Sequence, residues 1–305
     1  MNALYDLPAP AKLNLFLHVI GRRADGYHLL QSVFSLIDWA DTLHLERRAD
    51  GRLQRHDLGV ALPPEDLCLK AARALRAESG CTLGVDISID KSVPWGAGLG
   101  GGSSDAATVL IGLNRLWDLK WPRERLLALG ERLGADVPFF IGGRTAFVEG
   151  IGEQLTPVTM APQHYAVLKP AAAIPTAAIF SSPLMTRDTE AAIVKGFLAD
   201  AEALVRREAG GADKTSGLAG FPGHNDLQRA AEALCPEVAE VGRWLQARFG
   251  NSRMTGSGSA VYARAGAGER PVATMQEGRL ESWPEGWVGR MCRSLDVHPL
   301  AGWLG

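Results

Sequence analysis

A chain of 305 residues is longer than one hydrophobic core usually organises, so two domains are expected. Its residues are 46% apolar and 22% charged with a formal net charge of −2, which excludes disorder and the basic balance of a nucleic-acid-binding protein. Met1 to Pro10 lacks a basic start followed by an apolar run, no stretch approaches the roughly 20 apolar residues of a spanning helix, and Cys68, Cys81, Cys235 and Cys292 are too scattered for CxxC or metal-ligand spacing, so free thiols in a reducing cytoplasm are expected.

In chain order, Lys12 to Ile20 alternates as a strand, and Gly21 to Gly26 is rich in turn-forming residues. Ser32–Ile37 and Thr42–Glu46 read as further strands, and Glu65–Glu78 as a helix with Leu67, Ala71, Ala74 and Leu75 on one face. Val85–Asp90 alternates strictly, a glycine run follows, and a helix is predicted from Ser104 to Trp117, capped by Ser103 or Ser104, with Asp105 at the positive end of its dipole. Arg123–Leu133 is a second helix, and Gly142–Glu149 is extended. The pattern loosens over Gln154–Gln163, where the domain boundary is placed. Beyond it come a strand at Tyr165–Leu168, helices at Thr189–Glu208 and Asp226–Phe249 with a break at Pro236, a glycine-rich loop at Gly210–His224, and a strand at Ala260–Ala263. The last forty residues give no clear assignment.

The chemistry concentrates in three places. Pro94 to Asp105 places a glycine run between a strand and a helix N-terminus, where bare backbone N–H groups and the helix dipole can hold a triphosphate. Gly96, Gly98 and Gly101 alone form a GxGxxG, which also suits a dinucleotide-binding oxidoreductase; a P-loop is excluded because the run does not end in Gly-Lys-Ser/Thr. Lys12 and Asn14 share one face of the first strand, as residues near a transferring phosphate would, or as residues of a solvent-facing strand would. Asp136, in Gly134-Ala135-Asp136-Val137-Pro138-Phe139-Phe140, suits a general base or a helix cap before a proline.

Pro10-Ala11-Lys12-Leu13-Asn14-Leu15, the run Pro94 to Ala107, and Thr255-Gly256-Ser257-Gly258-Ser259-Ala260 resemble, in order and spacing, the three motifs of the GHMP kinase superfamily. Gly21-Arg22-Arg23-Ala24-Asp25-Gly26-Tyr27-His28, Gly134 to Phe140, Ile174-Pro175-Thr176 with Phe180, Asn225-Asp226-Leu227 and His298-Pro299-Leu300 are similar to members whose alcohol substrate is carried on a cytidine diphosphate.

The resemblance implies an α+β, two-domain GHMP kinase fold with the active site in the cleft between domains. Residues 1–155 would be the ATP-binding domain, like ribosomal protein S5 domain 2, and 160–305 a ferredoxin-like GHMP kinase C-terminal domain. It implies ATP at Pro94, Gly96, Ala97, Gly98, Leu99, Gly100, Gly101, Gly102, Ser103 and Ser104, with Mg²⁺ whose ligands stay open beyond Ser103. Lys12 and Asp136 would be catalytic, Asp136 accepting the proton of the substrate hydroxyl. Asn14, Tyr27, His28, Thr176 and Phe180 would bind substrate, with Tyr27 and Phe180 stacking on the base and His28 reading its edge. Asp66 stands where many members carry an asparagine near the adenine, so the adenine contacts stay open. The alternatives are a family kinase for another small alcohol, such as homoserine or mevalonate, and an inactive binding protein on the same fold. Nucleic acid and membrane are not expected as partners, and a monomer or weak dimer is.

Overall fold

The computed structural model describes residues 1–209, 220–269, 271 and 284–304. Its spine is an antiparallel pair of long strands, β1 (Ala3–Arg22) and β2 (His28–Arg48), with Lys12 opposite Leu36 and Arg22 opposite His28. Both are longer than the sequence pattern predicts, and Ser32–Ile37 and Thr42–Glu46 belong to one continuous strand. Every residue from Ala9 to Val19 is buried, so β1 is covered on both faces even where its residues alternate in polarity. Pro8 and Pro10 are accommodated because β1 has a strand neighbour only in β2 among the described residues, and a register shift lies between Pro10 and Lys12.

The remaining strands extend the sheet around β2. Its path runs β3 (Leu53–Asp57), β4 (Gly84–Asp90), β2, β10 (Val288–Leu295), β7 (Gln163–Lys169), β9 (Val261–Ala267), β8 (Arg253–Met254). Off that path, β5 (Ala146–Glu149) pairs with β2 and with β6 (Gln154–Pro157). The late strand β10 thus joins the two halves, pairing with β7 along its length and with β2 at Ser294–Ile37 and Leu295–Leu36.

Helices α1 (Leu67–Ser79), α2 (Gly101–Leu116), α3 (Arg123–Leu133) and α4 (Val137–Gly142) bury Leu75, Leu110, Leu126 and Phe139 against Leu36, Leu45 and Ile87 of the sheet. On the other half, α7 (Gln228–Leu234) and α8 (Pro236–Phe249) pack Ala230, Val238 and Leu245 onto Leu168 and Val261. A middle core of Phe16, Trp39, Phe147, Tyr165 and Tyr262 draws on both halves, and α6 (Val194–Ala209) covers it with Phe197 and Leu204. The short α5 (Thr176–Ser181) lies between.

Several expectations are corrected. Helix α2 starts at Gly101, three residues earlier than predicted, and its cap is Gly100 in the left-handed region rather than a serine. Helix α6 begins at Val194 and not Thr189, whose hydroxyl is engaged by Asp226. Pro236 does break the predicted 226–249 helix, opening α8 in its first turn, but Asp226 lies outside both pieces. Most of the predicted Gly210–His224 loop lies outside the described residues. Near the chain's end, Leu300 and Leu304 enter the first core, and Arg123 donates to the carbonyls of Ala301 and Leu304, 3.2 Å each.

Candidate active site

The glycine loop is strapped on both sides. The Lys12 amide of β1 donates to Leu99 O (2.9 Å), and on the other flank Ala260 N donates to Ala97 O (3.1 Å) and Ser259 N to Gly96 O (3.3 Å). Gly98 and Gly100 have φ of +73° and +72°. A Cβ on Gly98 would stand 2.2 Å from Thr255 O, and one on Gly100 would stand 2.9 Å from the Phe140 ring and 3.1 Å from Lys12 Cγ. Side chains are therefore excluded there by neighbouring structure as well as by backbone conformation.

The chain entering the loop is pinned by a buried triad. Lys91 Nζ contacts Asp41 Oδ2 and stands 2.7 Å from Asp105 Oδ2, while Asp41 Oδ1 accepts from the amides of Ser92 and Val93, 2.7 Å each. Burial pushes the Asp105 carboxyl well above the usual range, with Lys91 opposing and Asp41 reinforcing the rise. Asp105 thus serves a buried ion cluster, not simply a helix dipole. Ser104 is fully buried and donates to Pro10 O at 2.7 Å.

Beneath the loop, Lys12 is 3% exposed, and its Nζ lies 2.5 Å from Asn14 Oδ1, 3.7 Å from Asp136 Oδ2 and 4.5 Å from the centre of the Phe34 ring. Burial holds its ammonium below the ordinary lysine range against the opposing pull of Asp136. Asn14 is fixed in turn: Nδ2 donates to Ser32 Oγ (2.9 Å), and its amide donates to Thr255 Oγ1 (2.9 Å), tying the first motif to the third. Asp136 precedes α4 but has helical φ and ψ and makes no capping bond. The group lines a cavity of about 230 Å³ together with Lys12, Asn14, Gly98 and Gly100.

A second cavity, about 770 Å³, is lined by Arg22, Tyr27, His28, Thr176 and Phe180. The two share Leu30, Ile151, Thr176 and Phe180, so they form one cleft with the Lys12–Asp136 pair at one end and aromatic rings at the other. Tyr27 is 61% exposed. His28 stacks on Phe180 with ring centres 5.2 Å apart and planes at 26°, while its Nε2 is buried without a hydrogen-bond partner. Burial, aided by Arg187 and Arg22, lowers the His28 pKa, favouring the neutral ring. Phe180 also packs against the core of the second half.

Thr176 meets Ser257 at 2.9 Å, hydroxyl to hydroxyl, where the two cavities join. Sequence reasoning does not single out Ser257, Thr255 or the Lys91 triad. Ser257 and Thr255 sit in the third motif, whose residues carry no individual signal; Lys91 and Asp41 meet across 50 positions.

Residues 66–144 match the GHMP kinases N terminal domain and 201–273 the GHMP kinases C terminal domain. The chain is 64% identical over 305 residues to the 4-diphosphocytidyl-2-C-methyl-D-erythritol kinase of Methylibium petroleiphilum, covering 100% of this chain and 99% of that protein. It is 54% identical over 303 residues to the kinase of the same name from Variovorax paradoxus, covering 99% of each. A crystal structure of 4-(cytidine 5'-diphospho)-2C-methyl-D-erythritol kinase superposes with a TM-score of 0.69 at 36% identity, covering 85% of this chain and 89% of that one. Homoserine kinase from Cytophaga hutchinsonii shares the fold with a TM-score of 0.64 at 15% identity, over 98% and 96% of the two chains.

Proposed function

The chain belongs to the GHMP kinases, and from that membership we propose that it transfers the γ-phosphate of ATP to the C2 hydroxyl of 4-diphosphocytidyl-2-C-methyl-D-erythritol. The products are the 2-phosphate and ADP, within the methylerythritol phosphate route to isoprenoid precursors. The observation that carries this reading is the single cleft with a buried Lys12–Asp136 pair and glycine loop at one end and Tyr27, His28 and Phe180 at the other.

In this reading Asp136 takes the proton of the C2 hydroxyl as its oxygen bonds to the γ-phosphorus, and the bond to the β,γ-bridging oxygen breaks, releasing ADP. A carboxylate is a weak base, but a loose phosphoryl-transfer transition state asks mainly for positioning and charge stabilisation. Lys12 supplies a fixed cation beside both the base and the transferred group. Asn14 and Ser32 hold that cation in place. The base slots against Tyr27 and Phe180, a contact of about 1–3 kcal/mol by analogy with stacked nucleobases, and the neutral His28 offers Nε2 to its edge.

The cradle suits ATP because the loop is held to bare backbone at Gly98 and Gly100, where a Cβ would strike Thr255 O or the Phe140 ring, and α2 begins at Gly101. Among the described residues no cluster of three His, Cys, Asp or Glu is placed to hold a metal. That suits a Mg²⁺ carried mainly by the triphosphate, with Ser103 the candidate protein oxygen since the Ser104 hydroxyl is engaged. When bound, the ion neutralises phosphate charge. We assign the nucleotide to residues 1–155 and the far wall of the cleft to 160–305, in a cytoplasmic monomer or weak dimer. No helix among the described residues is long and apolar enough to cross a membrane.

The test is ADP release from Mg·ATP with the cytidyl alcohol, mevalonate and homoserine in parallel. Turnover with the cytidyl alcohol alone is expected. ADP formed only with another alcohol would remove the roles given to Tyr27, His28 and Phe180.

A further inference from the structure

Asn225-Asp226-Leu227 contributes no polar group to either cavity, yet Asp226 is 1% exposed, with Oδ2 doubly hydrogen-bonded and Oδ1 buried beside His224 without a hydrogen bond. Oδ2 accepts from the Val19 amide (2.6 Å) and the Thr189 hydroxyl (2.7 Å), and Oδ1 stands 2.7 Å from His224 Nε2. Its backbone extends the same connections: Asp226 N donates to Leu17 O (2.9 Å), Thr186 N to Asp226 O (3.1 Å), and Thr189 N to Val19 O (3.0 Å).

These bonds converge on the two walls of the aromatic slot. Val19 lies just before the Gly21–Leu29 and Arg22–His28 pairs, the base of the hairpin that carries Tyr27 and His28. Thr186 and Thr189 flank Arg187, whose Nη2 donates to Phe180 O and Ser182 O, 3.2 Å each. The neighbouring Asn225 acts elsewhere. Its Nδ2 donates to Met254 O (2.8 Å) and Gly256 O (2.9 Å) and so fixes the third motif under the glycine loop.

We infer that Asp226 is a positioning residue for substrate specificity: its carboxylate fastens the Tyr27–His28 hairpin to the segment that holds Phe180, and so sets the spacing into which the cytosine ring must fit. The inference rests on the cytidyl-substrate reading above. Stacking needs both walls held at fixed separation, and a slot whose outer ring is 61% exposed has little packing of its own to hold it. Two donors from different segments, the Val19 amide and the Thr189 hydroxyl, converging on one buried carboxylate oxygen are suited to that role.

The test uses the full-length protein and measures kcat, KM for the cytidyl alcohol, KM for ATP, and melting temperature for Thr189→Val, Thr189→Ser and Asp226→Asn. Thr189→Val removes only the hydroxyl donor, leaving the Val19 and His224 contacts of Asp226 intact, and keeps the test valid should Asp226→Asn fold poorly. It is expected to raise KM for the cytidyl alcohol about tenfold, the scale of one hydrogen bond to a charged group, with kcat and KM for ATP within about twofold. Thr189→Ser should restore the wild-type value. An unchanged KM for the cytidyl alcohol in Thr189→Val, or an equal rise in both KM values, overturns the clamp while leaving the function intact. A wild-type protein that ignores the cytidyl alcohol overturns both.

Discussion

Replacing two glycines of the same loop by alanine should move stability in opposite directions. At Gly98 the added Cβ meets Thr255 O at 2.2 Å, backbone against backbone, and φ is +73°. The left-handed conformation costs a non-glycine residue about 1–2 kcal/mol. Relieving the contact requires a retreat of about 1 Å by the Thr255 carbonyl, which accepts from Gly258 N (3.0 Å), an overpacking strain of about 1–3 kcal/mol. Gly98→Ala should therefore lose about 2–5 kcal/mol in urea unfolding, and a 1 Å displacement of the loop should lower kcat by about 100-fold. Gly102 has no such neighbour: its nearest contact would be Leu67 Cδ1 at 3.9 Å, and it lies within α2. Gly102→Ala should gain up to about 1 kcal/mol from helix propensity. If it gains stability while losing turnover, the bare backbone at 102 serves the phosphates at the expense of the fold. Unfolding of Gly98→Ala within about 0.5 kcal/mol of wild type would refute this account of the loop, and a destabilised Gly102→Ala would refute its placement inside the helix.

Other perturbations probe separate groups. Asp136→Asn should leave ATP affinity nearly intact and lower kcat by a factor on the order of 100 or more; because Asp136 opposes the burial that depresses the Lys12 pKa, the alkaline limb of the residual rate should also move to lower pH. Lys91→Met strands Asp41 and Asp105 in a buried site and should cost about 3–5 kcal/mol in chemical unfolding, whereas Asp105→Asn, replacing a carboxyl already pushed toward its neutral form, should cost less than about 1 kcal/mol. His298, 1% exposed, has its pKa lowered to about 4 by burial. With an unfolded value near 6.5, its stabilising share is complete above about pH 6.5 and is lost as pH falls toward 4, about 2 kcal/mol of it by pH 5. The loss of melting temperature between pH 7 and pH 5 should accordingly shrink in His298→Asn.

The strand, glycine loop and helix at residues 84–116 are legible in the sequence because each has its own period or composition, and Val85–Asp90 is observed as β4 with a one-residue extension. What is not legible depends on distant contacts. β1 and β2 run beyond their alternating stretches, β2 being buried throughout Gln31–Ile37, and β10 shows no alternation: in Val288–Leu295 only Cys292 is buried, and the strand exists because β7 and β2 flank it. The glycine cap of α2 is masked by two serines that suit the role, one of which turns inward to Pro10. Asp136 is ambiguous in sequence because a capping and a reactive carboxylate share the same local context and differ only in backbone angles. The stacking of His28 on Phe180 is a tertiary contact that spacing along the chain does not encode.

The segment that carries Leu300 and Leu304 into the first core has a temporal meaning. During synthesis the ribosome releases residues 1–155 long before 297–304, yet the helices of the early half wait for those late side chains, for the Arg123 acceptors at Ala301 and Leu304, and for the β10 edge beside Ile37. The nascent first half therefore leaves the ribosome with an open groove over α3 and an unpaired strand edge. A fragment ending near residue 155 should inherit that unfinished state permanently, so the two halves are better regarded as one folding unit than as separable modules.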